Sequence, residues 1–325
     1  MVAKNIEDLI KKQLKFTLRE TNFTTLGKLY KGKVRDNYIQ ENVRIIIATD
    51  RISSFDRVIT TIPFKGQMLN QVSTYWFEKT NKIVKNHFIE SPDPNVSVVK
   101  QCETMPIEMI VRAYITGTMW RNYLKGQATS GILPPKGMKK NQKFYDIIVT
   151  PSTKAETGHD IYLSKEQILE AKMVDKEIFK EMEEAALKLF RFGQKYCKDN
   201  GLIMVDTKYE FGIKEGELLV IDEIHTMDSS RFWIAETYDE KTNQGAEPEI
   251  LDKEIFRGWL MKTYPNIFPN IKPEDDIPPI SNDIKIELVK RYMRSYEKIT
   301  GVEFQAEVGD VNQRIHDNLK QADYL

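Results

Sequence analysis

A run of alternating charges inside two β-rich segments constrains this chain more than any other feature. Val205-Asp206-Thr207-Lys208-Tyr209-Glu210-Phe211-Gly212 leads through Ile213-Lys214-Glu215-Gly216-Glu217 into Leu218-Leu219-Val220-Ile221-Asp222-Glu223-Ile224-His225 and closes at Asp228-Ser229-Ser230-Arg231-Phe232-Trp233. Two β-prone runs around a short glycine-containing turn spell a hairpin. Side chains alternate along a strand, so Asp206, Lys208 and Glu210 share one face. Asp222 and Glu223 end an apolar run that does not alternate, which indicates burial on both faces. A charge in such a place must be paired, metal-bound or neutralised. An exposed acidic hairpin with a solvated face is the plain alternative. A three-residue turn at Glu215-Gly216-Glu217 would set Ile213 against Leu219 and Glu210 against Asp222. Cross-strand Cβ atoms lie about 4.5–5.5 Å apart, so the two carboxylates could hold one cation. A two-residue turn would shift or split that pair.

The 325 residues suffice for two domains with their own cores or one large one. Lys and Arg total 48, as do Asp and Glu, which argues against a general nucleic-acid binder because such proteins carry a basic excess. Cys102 and Cys197 are too few and too far apart for a disulfide framework, and no zinc spacing occurs. A reducing, cytoplasmic setting is expected. Residues 1–15 lack the apolar core of a signal peptide, and apolar runs such as Ile45-Ile46-Ile47 are far short of a membrane span, so no membrane partner is expected.

Taken in order, residues 5–14 read as a short docking helix, and Leu26 to Ala48 as a β-meander turning near Lys31-Gly32. There, backbone N–H groups beside Lys31, Lys33 and Arg35 could meet phosphate oxygens, although exposed lysines on a glycine turn are common. The pattern is neither a P-loop nor a Rossmann turn. Asp50-Arg51-Ile52-Ser53-Ser54-Phe55-Asp56 reads as a loop beyond a strand end, either for binding or as an ordinary turn. A helix follows, with Met68, Val72, Tyr75 and Trp76 on one face. Strands are expected at Val96–Cys102 and Ile107–Tyr114. Arg112 in the second either snorkels or forms a fork for a phosphate or carboxylate with Thr116, Gly117 and Thr118. Thr150 to Asp160 is a polar loop whose His159 could act as a base or a donor, and Ser164 with Gln167 resembles a capping box. An amphipathic helix through Ile178, Met182, Ala185, Ala186, Leu189 and Phe192 stops near Asn200-Gly201. Helices at 250–262 and 283–299 are expected to cover a second domain.

Together these motifs resemble the SAICAR synthetase (phosphoribosylaminoimidazole-succinocarboxamide synthase) family. The likeness rests on Gly32-Lys33-Val34-Arg35-Asp36, Asp50 to Asp56, Ile62-Pro63-x-Lys65-Gly66, Val111-Arg112-Ala113-Tyr114-x-Thr116-Gly117, Thr150 to Glu156, Asp206 to Gly212, and Ile221-Asp222-Glu223 through Trp233, in the family's order. The resemblance implies an α+β, ATP-grasp-like fold with mostly antiparallel sheets, divided as a β-rich nucleotide-binding domain over 1–110 and a larger domain over 111–325. It implies a ligase that joins carboxyaminoimidazole ribonucleotide to L-aspartate with ATP and Mg²⁺, as a monomer or small homo-oligomer. By the same resemblance Glu210 and Asp222 hold Mg²⁺, and Gly32, Lys33, Val34 and Arg35 line the nucleotide phosphates. Arg112, Thr118, Lys208 and Arg231 meet the ribonucleotide, with Lys208 and Arg231 in catalytic roles. Ser53, Ser54, Lys154, His159 and Asp160 surround aspartate. Another amide ligase with the same hairpin, or a silent adenylate sensor, remains an alternative. Two departures stand out: Phe64 where the family has Gly, and Ile224-His225-Thr226-Met227 where a Pro is expected before Asp228.

Overall fold

The computed structural model describes residues 2–154, 161–272 and 274–325. They form two compact units: Met1–Tyr75 with Phe88–Gln101 and Leu251–Leu325, and Trp76–His87 with Cys102–Ile250. A single cut near residue 110 therefore does not follow the folding of the chain.

The first unit opens with helix α1 (Val2–Gln13) and strands β1 (Lys28–Lys31), β2 (Arg35–Ile39) and β3 (Val43–Ala48). The expected meander is present, with each strand antiparallel to the next. The segment read as a loop at 50–56 is instead half of a second hairpin, β4 (Arg51–Ser54) with β5 (Arg57–Thr61). Phe55 and Asp56 turn it with φ of 51° and 59°, the left-handed pair that a tight hairpin demands. Helix α2 (Lys65–Thr80) follows, and β6 (Phe88–Asp93) and β7 (Val96–Lys100) complete a sheet ordered β1-β2-β3-β7-β6.

At the position that carries Phe64, φ is 62°. A non-glycine residue is strained there, and the buried ring offsets the strain by packing edge-on against Phe304 at 5.9 Å.

The second unit is built on β8 (Glu103–Tyr114), followed by α3 (Gly117–Leu124), β9 (Lys143–Thr153), α4 (Lys165–Glu170), α5 (Lys176–Asp199), β10 (Leu202–Lys214), β11 (Glu217–Ile221), β12 (Ser230–Ile234) and α6 (Ala235–Asn243). The sheet runs β11-β10-β8-β9, with β12 also on β10. Ser164 and Gln167 form the expected capping box on α4. Helix α5 buries Phe179, Met182, Ala185, Ala186, Leu189 and Phe190 and packs on β10 and β8. It ends at Asn200, as its sequence indicates. Cys102 and Cys197 are free and buried, and burial pushes the Cys197 thiol up to about 12.

The last segment returns to the first unit rather than covering the second. Helices α7 (Glu254–Thr263), α8 (Asn282–Thr300) and α9 (Val311–Gln321) belong there. Val311, Ile315 and Leu319 of α9 join Tyr38, Ile45, Ile47, Val96 and Val98 in one core.

Buried Asp50 accepts N–H bonds from Leu18 (2.8 Å) and Gly66 (3.0 Å). Burial nevertheless raises its carboxyl from 3.8 to about 6. Between those values the folded chain keeps a proton that the unfolded chain has released, so this contribution is fully present below 3.8 and is lost as pH rises through about 6. His225, lowered by burial from 6.5 to about 3, acts with the opposite sign and costs stability as pH falls. Denaturation midpoints of Asp50→Asn should therefore rise more steeply with pH than those of the parent chain between about 4 and 6. Parallel slopes would count against this assignment.

Candidate active site

The charged residues of β10 lie where alternation places them. One face of β10 carries Val205, Thr207, Tyr209 and Phe211, all buried. The other carries Asp206, Lys208 and Glu210. Register sets Asp206 beside Arg112 of β8 and Arg231 of β12, and Glu210 beside Glu108 of β8. Arg112 Nη1 donates to Asp206 Oδ2 at 3.0 Å, and Arg231 Nη1 donates to the same oxygen at 2.6 Å. Arg112 also donates through Nε to Thr150 Oγ1 (2.8 Å) and through Nη2 to Tyr162 Oη (3.3 Å). With three of its five N–H donors on protein partners and 2 % of its surface exposed, Arg112 sits inside the ladder as a brace. Arg231 keeps about a fifth of its side chain open, 22 %.

One step along β10, Lys208 bonds Glu210 and lies 3.2 Å from Glu108, while Lys154 bonds the other oxygen of Glu210. Ser152 donates to Glu108 at 2.9 Å. Burial works against the charge on Lys208, but the carboxylates of Glu210, Glu108 and Asp222 hold its ammonium well above the ordinary lysine range. It stays charged at any physiological pH, as an electrostatic clamp rather than a proton acceptor.

The expected register of the hairpin is overturned. Lys214 pairs with Glu217 and Glu210 with Ile221, so the turn has two residues, Glu215 and Gly216, at φ of 56° and 79°. Those angles suit the left-handed pair of a tight hairpin, which overrides the longer turn. Asp222 falls one position beyond β11, at φ 68°, and is not the cross-strand partner of Glu210. The carboxylate directly beside Glu210 is Glu108, whose signal was a lone Glu inside an apolar strand.

Among the described residues no group of three or more His, Cys, Asp or Glu is placed to hold a metal ion. The donor chemistry still suits magnesium, which takes one or two carboxylates and completes its shell with phosphate oxygens and water. Glu210 is buried with both oxygens on ammonium groups, one of them the solvent-facing Lys154. Half-buried Asp222 lies within the field of Lys208.

At the start of α3, Gly117 has φ 54°, and a Cβ there would come within 2.9 Å of Arg231 Nη2. Thr118 accepts from Arg121 at 2.6 Å. His159 and Asp160 lie outside the described residues.

In the first unit, Gly32 donates to Arg35 O at 2.8 Å, and Thr49 donates to Val34 O at 3.1 Å. Lys33 is paired with Asp56. Ser53 and Ser54 stand half-buried on β4. The sequence reading missed Arg51, which fixes this turn from behind. Its Nε donates to Lys33 O (2.9 Å), Nη2 to Gly32 O (3.0 Å) and to Asp36 Oδ1 (2.8 Å), and Nη1 to Arg19 O (2.5 Å).

The charged ladder, with carboxylates and ammonium groups on one sheet face, lies on an α+β scaffold, and the similarities of the chain make it an ATP-dependent ligase. Residues 28–270 match the family model described as SAICAR synthetase, and the chain belongs to that family. A phosphoribosylaminoimidazole-succinocarboxamide synthase of Legionella pneumophila (strain Paris) is 42% identical over 316 residues, covering 94% of this chain and 98% of its own. The structure of SAICAR synthase from Saccharomyces cerevisiae complexed with SAICAR superposes with a TM-score of 0.76 at 31% identity, over 89% of this chain and 100% of that one. A type-2 SAICAR synthetase in complex with ADP shares the fold, with a TM-score of 0.66 at 23% identity, over 86% of this chain and 100% of that one. Among the described residues no helix is long and apolar enough to cross a membrane.

Proposed function

We propose that the chain condenses 5-amino-1-(5-phospho-D-ribosyl)imidazole-4-carboxylate with L-aspartate, consuming ATP and giving the succinocarboxamide, ADP and phosphate. The observation that carries this reading is the β10 ladder, which falls inside the family match and sets Arg231, Lys208, Glu210 and Asp206 on one sheet face. A carboxylate oxygen of the ribonucleotide attacks the γ-phosphorus of ATP, ADP leaves, and an acyl phosphate forms. The aspartate amine then attacks the acyl carbon, loses a proton, and phosphate departs with the bonding pair.

Such chemistry needs alignment and charge neutralisation more than a protein nucleophile. Lys208 and Arg231 would supply fixed positive charge at the ribonucleotide carboxylate, and Arg112 and Asp206 would hold Arg231 in place. Thr118 would contribute a hydroxyl to the same substrate. Glu210 and Asp222 would hold Mg²⁺, which when bound neutralises charge on the ATP phosphates. Gly32, Lys33, Val34 and Arg35 would line the nucleotide phosphates, with Arg51 fixing their backbone. Ser53, Ser54 and Lys154 would serve aspartate.

ADP release should require all three substrates. Leaving out the ribonucleotide or the aspartate in a steady-state coupled assay should abolish it. Undiminished release after either omission would mean a different acid or amine.

A further inference from the structure

The β10–β11 ladder stops at Glu210 and Ile221, and on the same edge of β10 pairing resumes where Lys208 N donates to Ser229 O at 3.1 Å. Between these points the chain from Asp222 to Asp228 leaves the sheet. It is folded on itself: Thr226 Oγ1 donates to Glu223 (2.7 Å), and Asp228 N and Ser229 N both donate to Thr226 Oγ1 (3.2 Å). Two of its residues, Asp222 (φ 68°) and His225 (φ 53°), occupy the left-handed region that non-glycine residues avoid.

His225 fastens the segment behind the sheet, beside the equally buried Ile224 and Met227. His225 is fully buried, and its Nε2 shares a hydrogen bond of 2.5 Å with Tyr209 Oη. Its ring lies edge-on to Trp76 at 4.6 Å. Room for it comes from Gly193 in the interior of α5, where a Cβ would approach His225 Cε1 to 2.6 Å. Glycine disfavours a helix interior, so its presence follows from this close approach. Nδ1 of His225 has no hydrogen-bond partner among the described residues. A strained backbone, a helix glycine and an unsatisfied buried nitrogen are all tolerated to keep this ring where it is.

Tyr209 stands between Lys208 and Glu210 on β10 but points to the opposite face. The Tyr209–His225 bond therefore connects the strand that carries the charged ladder to the turn that carries Asp222. We propose that His225 is a positioning residue: acting through Tyr209, it seats the Asp222 turn against β10 and so sets the affinity of the site for Mg²⁺. This rests on the reading of Asp222 as a metal ligand.

The test compares the parent chain with Tyr209→Phe, His225→Leu, the double variant and Asp222→Asn. Mg²⁺ is titrated into ADP release at saturating substrates, and Mn²⁺ binding in the presence of ADP is followed by electron paramagnetic resonance. Tyr209→Phe and His225→Leu should each raise the half-maximal Mg²⁺ and weaken Mn²⁺ binding roughly tenfold, the scale of supports behind metal ligands. The turnover at saturating Mg²⁺ should stay within about twofold of the parent, because neither residue touches substrate. The double variant should be no worse than either single one, since both remove ends of one bond. Tyr209→Phe retains the ring, so it decides the matter if His225→Leu does not fold. A metal response unchanged in Tyr209→Phe but weakened in Asp222→Asn would overturn the positioning role alone. A response unchanged in Asp222→Asn would overturn the metal reading beneath it.

Discussion

Asp222→Asn should lower Mg²⁺-dependent ADP release on the order of 10²–10³-fold, the loss typical when one fixed charge-stabilising group is removed from a transition state. The substitution isolates charge from shape. Asn is nearly isosteric with Asp and, like it, tolerates the left-handed region, so the φ of 68° at this position costs the variant little extra. Unfolding should remain cooperative with a midpoint close to that of the parent. Raising Mg²⁺ should recover part of the rate if the lost carboxylate bound the ion. Parent-like turnover at ordinary Mg²⁺ would remove Asp222 from the site and leave Glu210 with Glu108, its neighbour across the strands, as the remaining carboxylate pair.

Arg51→Met should destabilise the fold by about 3–5 kcal/mol, the cost of stripping one partner from a buried ion pair. Asp36 is fully buried, and its Oδ1 accepts from Arg51. Its other oxygen already serves Thr21 N (2.7 Å) and Thr21 Oγ1 (3.0 Å), so the substitution strips Oδ1 of the guanidinium while Oδ2 keeps its partners. Three backbone carbonyls, of Arg19, Gly32 and Lys33, would lose their donor in the same step. Urea denaturation at neutral pH gives the loss directly. Pairing the change with Asp36→Asn should restore part of the stability, because the uncompensated charge is the larger share of the penalty. A loss below about 1 kcal/mol would show that the pair is replaceable, as most surface pairs are.

Much of this architecture can be read from residues. The meander over 28–48, the capping box at Ser164 and the amphipathic helix through Met182 and Leu189 are local patterns, and the structure contains all three. The charged face of β10 follows from simple alternation. Register does not, for a physical reason. Leu218 to Ile221 are apolar at every position, so no face preference pins the pairing, and the choice passes to Glu215 adopting φ 56°, which its side chain does not advertise. Asp50 to Asp56 reads as a loop because its polar residues mask a hairpin whose turn again depends on left-handed non-glycine residues, Phe55 and Asp56. Glu108 escapes notice because a single carboxylate in an apolar strand acquires meaning only beside Lys208 and Ser152, which lie far away in sequence. The return of residues 251–325 to the first unit is a long-range event that no local pattern encodes.

That return bears on the order in which the molecule can assemble. Tyr38, Ile45 and Ile47 are synthesised well before Val311, Ile315 and Leu319, yet they share a core with them. Until α9 has left the ribosome, the sheet of the first unit presents an unfinished apolar surface, whereas β8 to α6 are contiguous and complete much earlier. Domains usually mature from the N-terminus onward during synthesis. Here β8 to α6 can close first, while β2, β3 and β7 wait for a helix made more than two hundred residues later.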